Sequence, residues 1–446
     1  MPLIENGNVD AGVSYETPAL RRCITGTTEQ FAQDHWSQRP LLSRAADLPS
    51  DFLDLLSPDD VDDLVADRGL RMPFFRMVRE GAIQSGPTRY ATAGSRRISD
   101  LIDADRARDR YDEGATLVLQ SLHRIHPPVV RFCRELAHDL GHATQANAYI
   151  TPPGNRGFDP HHDTHDVFVL QIDGSKLWHI FAPAMVLPLN SQPSSDLAKT
   201  RPLVPEGAEP VMSVVLEPGD ALYLPRGYVH SAETNDDRSI HLTIGVLATT
   251  EFDVLREVLT LAGDVEGFRK ALPLGVVGDR ERLTTEVLPD LLRRAADWFS
   301  SVDPADALGA LSGRLDNAVP AEPRRLLAST DGIAALDKST VVRPRVGVRW
   351  DLEVGNGGTA ASDDSDASGD SDTVTLTSSS RSVRFPGFVA PVLRHVLSTG
   401  PLEVGAIAEA SDGSLSVDDA LVLARRLVRE GVLVTSSPDP SGRYRR

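Results

Sequence analysis

The sequence predicts an α+β protein, an antiparallel barrel or jelly roll flanked by helical segments. Three observations carry this expectation. Between residues 111 and 250, short segments rich in β-formers follow one another with tight turns and, beyond residue 146, without interleaved helices, the pattern of a closed or two-sheet antiparallel architecture. Before and after this region, in 1–110 and 251–340, apolar residues recur at helical spacing. Hydrophobic residues make up 41% of the 446, enough for a true core, which excludes wholesale disorder.

Taken in order, residues 29–36 predict a helix ended by Arg39-Pro40, and residues 59–67 predict another. Residues 115–119 read as a buried strand. Pro127 opens a helix running to about Leu140, with proline in the first turn, where its missing N–H costs nothing. Strands are then expected over 146–151, 166–172, 176–182, 212–216, 221–224 and 241–248. Between the second and third of these lies Asp173-Gly174, which predicts a tight hairpin because a primed turn needs positive φ. Beyond the barrel, Phe252, Leu255, Val258 and Leu259 share one helical face, as do Leu288, Leu291, Leu292 and Ala295. Residues 341–352 return to strand-like alternation. The run GNGGTAASDDSDASGDSD, residues 355–372, has no aromatic and is expected to be a disordered acidic linker. Residues 381–446 read as a winged-helix-like domain. Its helices are expected over 391–398, 403–408 and 417–430, the last capped by Ser416 and stopped by Gly431, with a strand from Leu433.

Charge and cysteine content narrow the function classes. Lys plus Arg number 46 against 64 Asp plus Glu, a net charge of −18. A whole-protein nucleic-acid binder is disfavoured, because phosphate neutralisation needs clustered Lys and Arg. Even residues 381–446 hold nine Arg and no Lys against seven acidic residues, a net +2 that is weak for a DNA reader. Cys23 and Cys133 can build neither a disulfide framework nor a Cys-rich zinc site. The first residues show no basic n-region followed by an apolar h-region, and no apolar run is long enough for a membrane span. The expected location is the cytoplasm, with both cysteines reduced and structural.

Chemistry concentrates in residues 157–166, GFDPHHDTHD. On an extended chain residues i and i+2 share a face, so His161 and Asp163 can hold one metal. Further on, residues 219–230, GDALYLPRGYVH, have the spacing of a second cupin motif, in which Gly and Pro turns let a strand deliver His230 to the same site. Two His and one carboxylate make the facial triad of a non-haem Fe(II) oxygenase, with coordination positions left open. His165 has the parity of His161 and is a rival ligand. His162 has the opposite parity and is not expected to bind metal. His241, in an apolar strand, reads as a hydrogen-bonded core residue.

The stretch from Asn147, Tyr149 and Thr151 through Gly157, Phe158, Pro160, His161 and Asp163, continuing as DVFVLQIDGSKLW from Asp166 to Trp178, resembles the JmjC ribosomal oxygenases. These are 2-oxoglutarate-dependent protein hydroxylases of the cupin superfamily. Phe31, His35-Trp36 and Arg39-Pro40-Leu41 are similar to the family's opening motif. The resemblance implies a double-stranded β-helix core with N-terminal helical decoration, a helical dimerisation region over 251–340 and a C-terminal winged helix over 381–446. It implies that His161, Asp163 and His230 hold Fe(II) and form the catalytic centre. It further implies that Lys176 pairs with the C5 carboxylate of 2-oxoglutarate, and that Asn147, Tyr149 and Thr243 line the cosubstrate pocket. A lone cation in a low-dielectric barrel suits a dicarboxylate. One departure is Gly245, where several relatives carry a Ser near the cosubstrate.

The implied activity is hydroxylation of a side-chain carbon of a protein, His or Arg in a ribosomal protein, by a homodimer. An acidic enzyme complements a basic substrate. Three alternatives stay open: hydroxylation of a small molecule or a non-ribosomal peptide, a cupin sensor joined to a DNA-binding winged helix, and a non-oxygenase cupin such as an isomerase. Lys176 weighs against the isomerase, which needs no dicarboxylate anchor.

Overall fold

The computed structural model describes residues 17–79, 81–83, 100–355, 373–378 and 381–435. It divides into two units, Met1–Thr249 and Thr250–Arg446. In the first unit the strands are β1 (Leu41–Ser43), β2 (Phe75–Arg79), β3 (Ala82–Ile83), β4 (Thr116–Leu119), β5 (Ala143–Thr151), β6 (Asp166–Gly174), β7 (Lys176–Pro183), β8 (Met212–Leu216), β9 (Ala221–Leu224), β10 (Tyr228–Glu233) and β11 (Ser239–Leu247). They form two antiparallel sheets. The larger has eight strands in the order β1-β9-β6-β11-β5-β4-β2-β3, and the smaller has three in the order β10-β7-β8.

One face of the large sheet is covered by helix Pro127–Leu140. Proline starts this helix and Gly141, at φ +68°, ends it. Its buried residues Val129, Phe132, Cys133, Leu136 and Ala137 recur at helical spacing, so a single stripe meets the sheet. The sheet answers with period two: Ala146, Ala148 and Ile150 of β5 and Leu242, Ile244 and Val246 of β11 enter the same core. Residues of the other parity face the small sheet, where Val167 and Val169 pack with Trp178, Ile180, Val214 and Leu216. The functional chamber lies between the two sheets. Cys23 and Cys133 are both free and buried.

The hairpin expected at Asp173-Gly174 does not form. The reversal itself is present: Gly174 sits at φ +60°, and a Cβ there would come 1.8 Å from the Arg238 carbonyl oxygen. But β6 is paired on both sides, by β9 and β11, while β7 pairs with β8 and β10. The turn therefore carries the chain from one sheet to the other. An Asp-Gly pair encodes the local reversal; which strand each arm joins is decided by longer-range pairing.

In the second unit, helix Glu251–Thr260 starts at a capping box made by Thr250 and Asp253. Of the face expected to be apolar, Val258 is buried while Phe252, Leu255 and Leu259 are each about half exposed. Helices Leu288–Ser301, Pro304–Ala318 and Leu326–Ala335 follow. Then come β12 (Val341–Pro344), β13 (Asp351–Gly355), β14 (Thr373–Ser378), β15 (Arg381–Pro386), helix Ala390–Ser398, β16 (Leu402–Glu403), helices Val404–Glu409 and Val417–Glu430, and β17 (Leu433–Thr435). The helix Val417–Glu430 has the expected Ser416 cap and a left-handed Gly431.

Here the boundary at residue 381 is corrected. It falls between β14 and β15, which pair with each other, and the central strand of the sheet β16-β12-β17 comes from residues 341–344. Leu336, Val342, Val374 and Leu376 share one core with Val392, Leu393, Ile407, Leu423 and Leu427. Strands this short carry too little periodicity to be assigned to a distant core from sequence. Apart from Gly355, which ends β13, the acidic run of 355–372 lies outside the described residues. So do residues 436–446.

Candidate active site

Alternation in the strands sets which side chains enter the chamber. It is lined by Tyr149 of β5, Val167 and Val169 of β6, Lys176 and Trp178 of β7, His230 of β10, and His241 and Thr243 of β11, with Phe158, His161 and Asp163 from the loop before β6. The space is about 560 Å³ with its open mouth included.

His161 and His230 face each other as an isolated antiparallel bridge. The N–H of His161 donates to the His230 carbonyl at 3.1 Å, and the N–H of His230 donates back at 2.8 Å. Each ring is also oriented from its own backbone. Nδ1 of His161 lies 2.8 Å from the Asp159 carbonyl oxygen, and Nδ1 of His230 lies 3.1 Å from that of Tyr228. A carbonyl oxygen only accepts, so Nδ1 carries the proton and the Nε2 lone pair is left free in both rings. Nε2 of His230 is 3.7 Å from Oδ2 of Asp163. One ligand atom from each of His161, Asp163 and His230 lies within 4.8 Å of the others, the one such cluster among the described residues.

The electrostatics suit a divalent cation. Burial pushes the His230 pKa down to about 4, with the neighbouring His161 adding to the effect. Burial alone would raise the Asp163 carboxyl, but the imidazoles of His230 and His161 hold it below its ordinary value. A neutral His230 imidazole and an ionised Asp163 carboxylate are the protonation states that metal ligation needs. Two backbone clips join the segments that carry it. The Gly227 N–H donates to the Asp163 carbonyl at 3.0 Å, and the Arg226 N–H donates to the buried Asp166 carboxylate at 2.8 Å.

Lys176 is only 3% exposed, so it is not the solvated strand lysine that its place beside a turn would suggest. Its Nζ donates to Oγ1 of Thr151 at 2.9 Å, and no ion pair joins it among the described residues. Burial pushes its pKa down to about 7. Tyr149 stacks on His241, ring centres 4.9 Å apart and planes 7° from parallel. Thr243 lines the chamber. Asn147 has the right parity but stands back from the lining: its side-chain oxygen accepts the Ser121 N–H at 2.9 Å.

His241 is corrected from a hydrogen-bonded core residue to a chamber residue. Its Nδ1 is buried without a hydrogen-bond partner among the described residues, and burial, with Lys176 nearby, holds its pKa well below the ordinary value. Its parity with Thr243 would have placed it there. Trp178 shares the parity of Lys176 and lines the chamber, and Thr151 shares that of Tyr149 and meets Lys176. His165 lies outside the ligand cluster; its ring rests on Gly245, whose Cβ, if present, would be 2.5 Å from its Cδ2. His162 is buried and also outside the cluster.

Residues 119–254 match the JmjC domain. Ribosomal oxygenase 1 of Gallus gallus is 31% identical over 264 residues, covering 56% of this chain and 41% of the relative. The bifunctional lysine-specific demethylase and histidyl-hydroxylase NO66 of Drosophila persimilis is 28% identical over 273 residues, covering 61% of this chain and 37% of the relative. The chain thus spans less than half the length of these curated relatives. Among solved structures, the Escherichia coli ribosomal oxygenase YcfD in complex with cobalt and 2-oxoglutarate shares the fold. It superposes at a TM-score of 0.52 with 17% identity, covering 93% of this chain and 99% of that one. The chain is thus similar to JmjC-domain proteins over its barrel segment, and the relatives it resembles there are named ribosomal oxygenase and histidyl-hydroxylase.

Proposed function

We propose that this protein is an Fe(II)- and 2-oxoglutarate-dependent oxygenase that hydroxylates a side-chain carbon of a protein substrate. The observation that carries the reading is the union, in one chamber, of a two-His, one-carboxylate cluster with a buried lysine that has no ion pair among the described residues. His161, Asp163 and His230 would hold the metal through Nε2, a carboxylate oxygen and Nε2. The donor set fits iron: nitrogen and oxygen ligands, three in number, with room in the chamber for further ones. When bound, the iron supplies the redox chemistry that couples decarboxylation of 2-oxoglutarate, to succinate and carbon dioxide, to oxidation of a C–H bond.

The chain's own residues prepare this chemistry. Lys176 binds the C5 carboxylate, and the incoming anion restores the full charge that burial suppresses. Thr151 holds the ammonium in place. His241 stays neutral beside Lys176, so it does not compete for the anion. Trp178, Phe158, Val167 and Val169 exclude water around the reacting groups. The cobalt and 2-oxoglutarate complex of the fold relative supports this cofactor assignment.

The names of the relatives support a protein substrate, and we assign it to a His or Arg side chain of a ribosomal protein. The net charge of −18 complements such basic proteins. The half-exposed apolar face of helix Glu251–Thr260 supports a homodimer, and among the described residues no helix is long and apolar enough to cross a membrane. We place the enzyme in the cytoplasm and assign it no direct nucleic-acid contact.

The test has two steps. Anaerobic Fe(II) and 2-oxoglutarate, added together, should produce a metal-to-ligand charge-transfer band; its absence would refute the oxygenase. Mass spectrometry of ribosomal proteins from cells with and without the gene should show one gaining a single oxygen atom. If none does while the band forms, the substrate is a small molecule or another peptide.

A further inference from the structure

We infer that His165 is a specificity-determining residue: laid across Gly245 and flanked by Gln145, it forms the wall that the substrate side chain meets at the open end of the chamber. The inference rests on the oxygenase reading above and adds a residue that the ligand cluster and the cosubstrate contacts leave out.

The chamber has a closed end and an open end. Down β11, Ser239 pairs with Thr151, which holds Lys176; His241, Thr243 and Gly245 follow on that parity, and the exposed Leu247 ends the strand. At the Lys176 end the neighbours Thr151 and Thr116 are fully buried. At the other end His161, Asp163 and His165 are all partly exposed. A side chain reaching the metal ligands from solvent therefore arrives at the His165 end, with the cosubstrate anchor behind.

Gly245 explains how an imidazole can lie there. A Cβ at this position would stand 2.5 Å from Cδ2 and 2.6 Å from Nε2 of His165, and 3.1 Å from Cγ of Gln145. Real Cβ contacts are not that short, so the ring has taken the space that any side chain at 245 would fill. Nε2 of His165 is 3.5 Å from Nε2 of Gln145, across the register pair Gln145 and Gly245. The wall is thus a flat imidazole beside a carboxamide, a hydrogen-bonding surface. Sites that hydrogen-bond their substrate discriminate strongly against side chains that leave those groups unpaired.

The pair can be tested in the full-length enzyme with His165→Ala, Gly245→Ser and the double variant, using ribosomal proteins isolated from cells that lack the gene. Gly245→Ala serves if the serine variant fails to fold. Expected is a fall of at least about tenfold in kcat/KM for the protein substrate in His165→Ala, with Co(II) binding and the 2-oxoglutarate KM within about twofold of wild type. Gly245→Ser should do the same, because it evicts the ring. The double variant should be no worse than His165→Ala, since the ring it would strike is gone. Unchanged kcat/KM in His165→Ala, or multiplying effects in the double variant, would overturn the inference while sparing the oxygenase reading. Loss of Co(II) binding in His165→Ala would overturn it by making His165 a ligand. A wild-type enzyme that oxidises no ribosomal protein overturns the substrate assignment and this inference together.

Discussion

His161 and His230, from segments far apart in the chain, exchange both backbone hydrogen bonds, at 3.1 and 2.8 Å. This bridge makes the two imidazoles neighbours whether or not a metal is bound, with ring centres 4.5 Å apart. The candidate ligands are thus held by main-chain geometry, and a substitution can remove one donor without dismantling the scaffold.

Asp163→Ala should therefore abolish turnover while leaving the fold intact. The expected signature is loss of the charge-transfer band with a circular dichroism spectrum and melting temperature close to wild type. Survival of turnover would remove Asp163 from the ligand set.

The pH dependence of the metal-free protein follows from His230. Its folded pKa of about 4 lies below the ordinary histidine value, so between roughly pH 6.5 and 4 the unfolded chain binds the extra proton. Stability is full above this window and falls as pH drops through it, by on the order of a few kcal/mol at most. Asp163, held low in the fold, acts in the same direction at still lower pH. A chemical-denaturation series from pH 7 to 4 checks this, and His230→Gln should flatten the slope.

Lys176→Met separates binding from stability. Removing the cation should raise the 2-oxoglutarate KM by about ten- to a hundredfold, the worth of a charge-assisted hydrogen bond. The same change should stabilise the metal-free protein, because a buried cation with no counter-ion among the described residues is replaced by an apolar chain of similar length. With a folded pKa of about 7 against the ordinary lysine value near 10.4, the wild type should gain stability as pH rises from 7 to about 10, and the variant should not. Over the same range 2-oxoglutarate affinity should fall in the wild type, since binding must restore the proton.

Asp166→Ala should be among the most damaging substitutions away from the ligands. Asp166 is fully buried, accepts the Arg226 N–H, and lies 3.4 Å from the Arg226 guanidinium, itself only slightly exposed. Removing the carboxylate strands that cation, at a cost of about 3–5 kcal/mol. Denaturant unfolding measures the loss. An Asp166→Ala/Arg226→Met double variant should recover part of it.

Gly174→Ala should cost at least about 2 kcal/mol through left-handed strain and collision with the Arg238 carbonyl. The melting temperature should fall, while the 2-oxoglutarate KM of the folded fraction should stay near wild type.

Much of this protein is determined locally. Pro127 and Gly141 bound their helix, Ser416 and Gly431 bound theirs, and period-two alternation puts Tyr149 and Thr243 on the chamber side of their strands. The spacing of His161 and Asp163, and the turn residues before His230, pointed to one cluster because short-range geometry dictates both. Tertiary structure decided the rest. Asp173-Gly174 announces a reversal, yet β6 and β7 separate into different sheets, because strand pairing is settled by partners tens of residues away. His161 and His165 share a parity, yet only His161 meets His230, while His165 turns onto the room left by Gly245. Parity tells which side of a strand a residue takes; only the packed fold tells what stands opposite it, because pairing and contact depend on segments that sequence distance does not order.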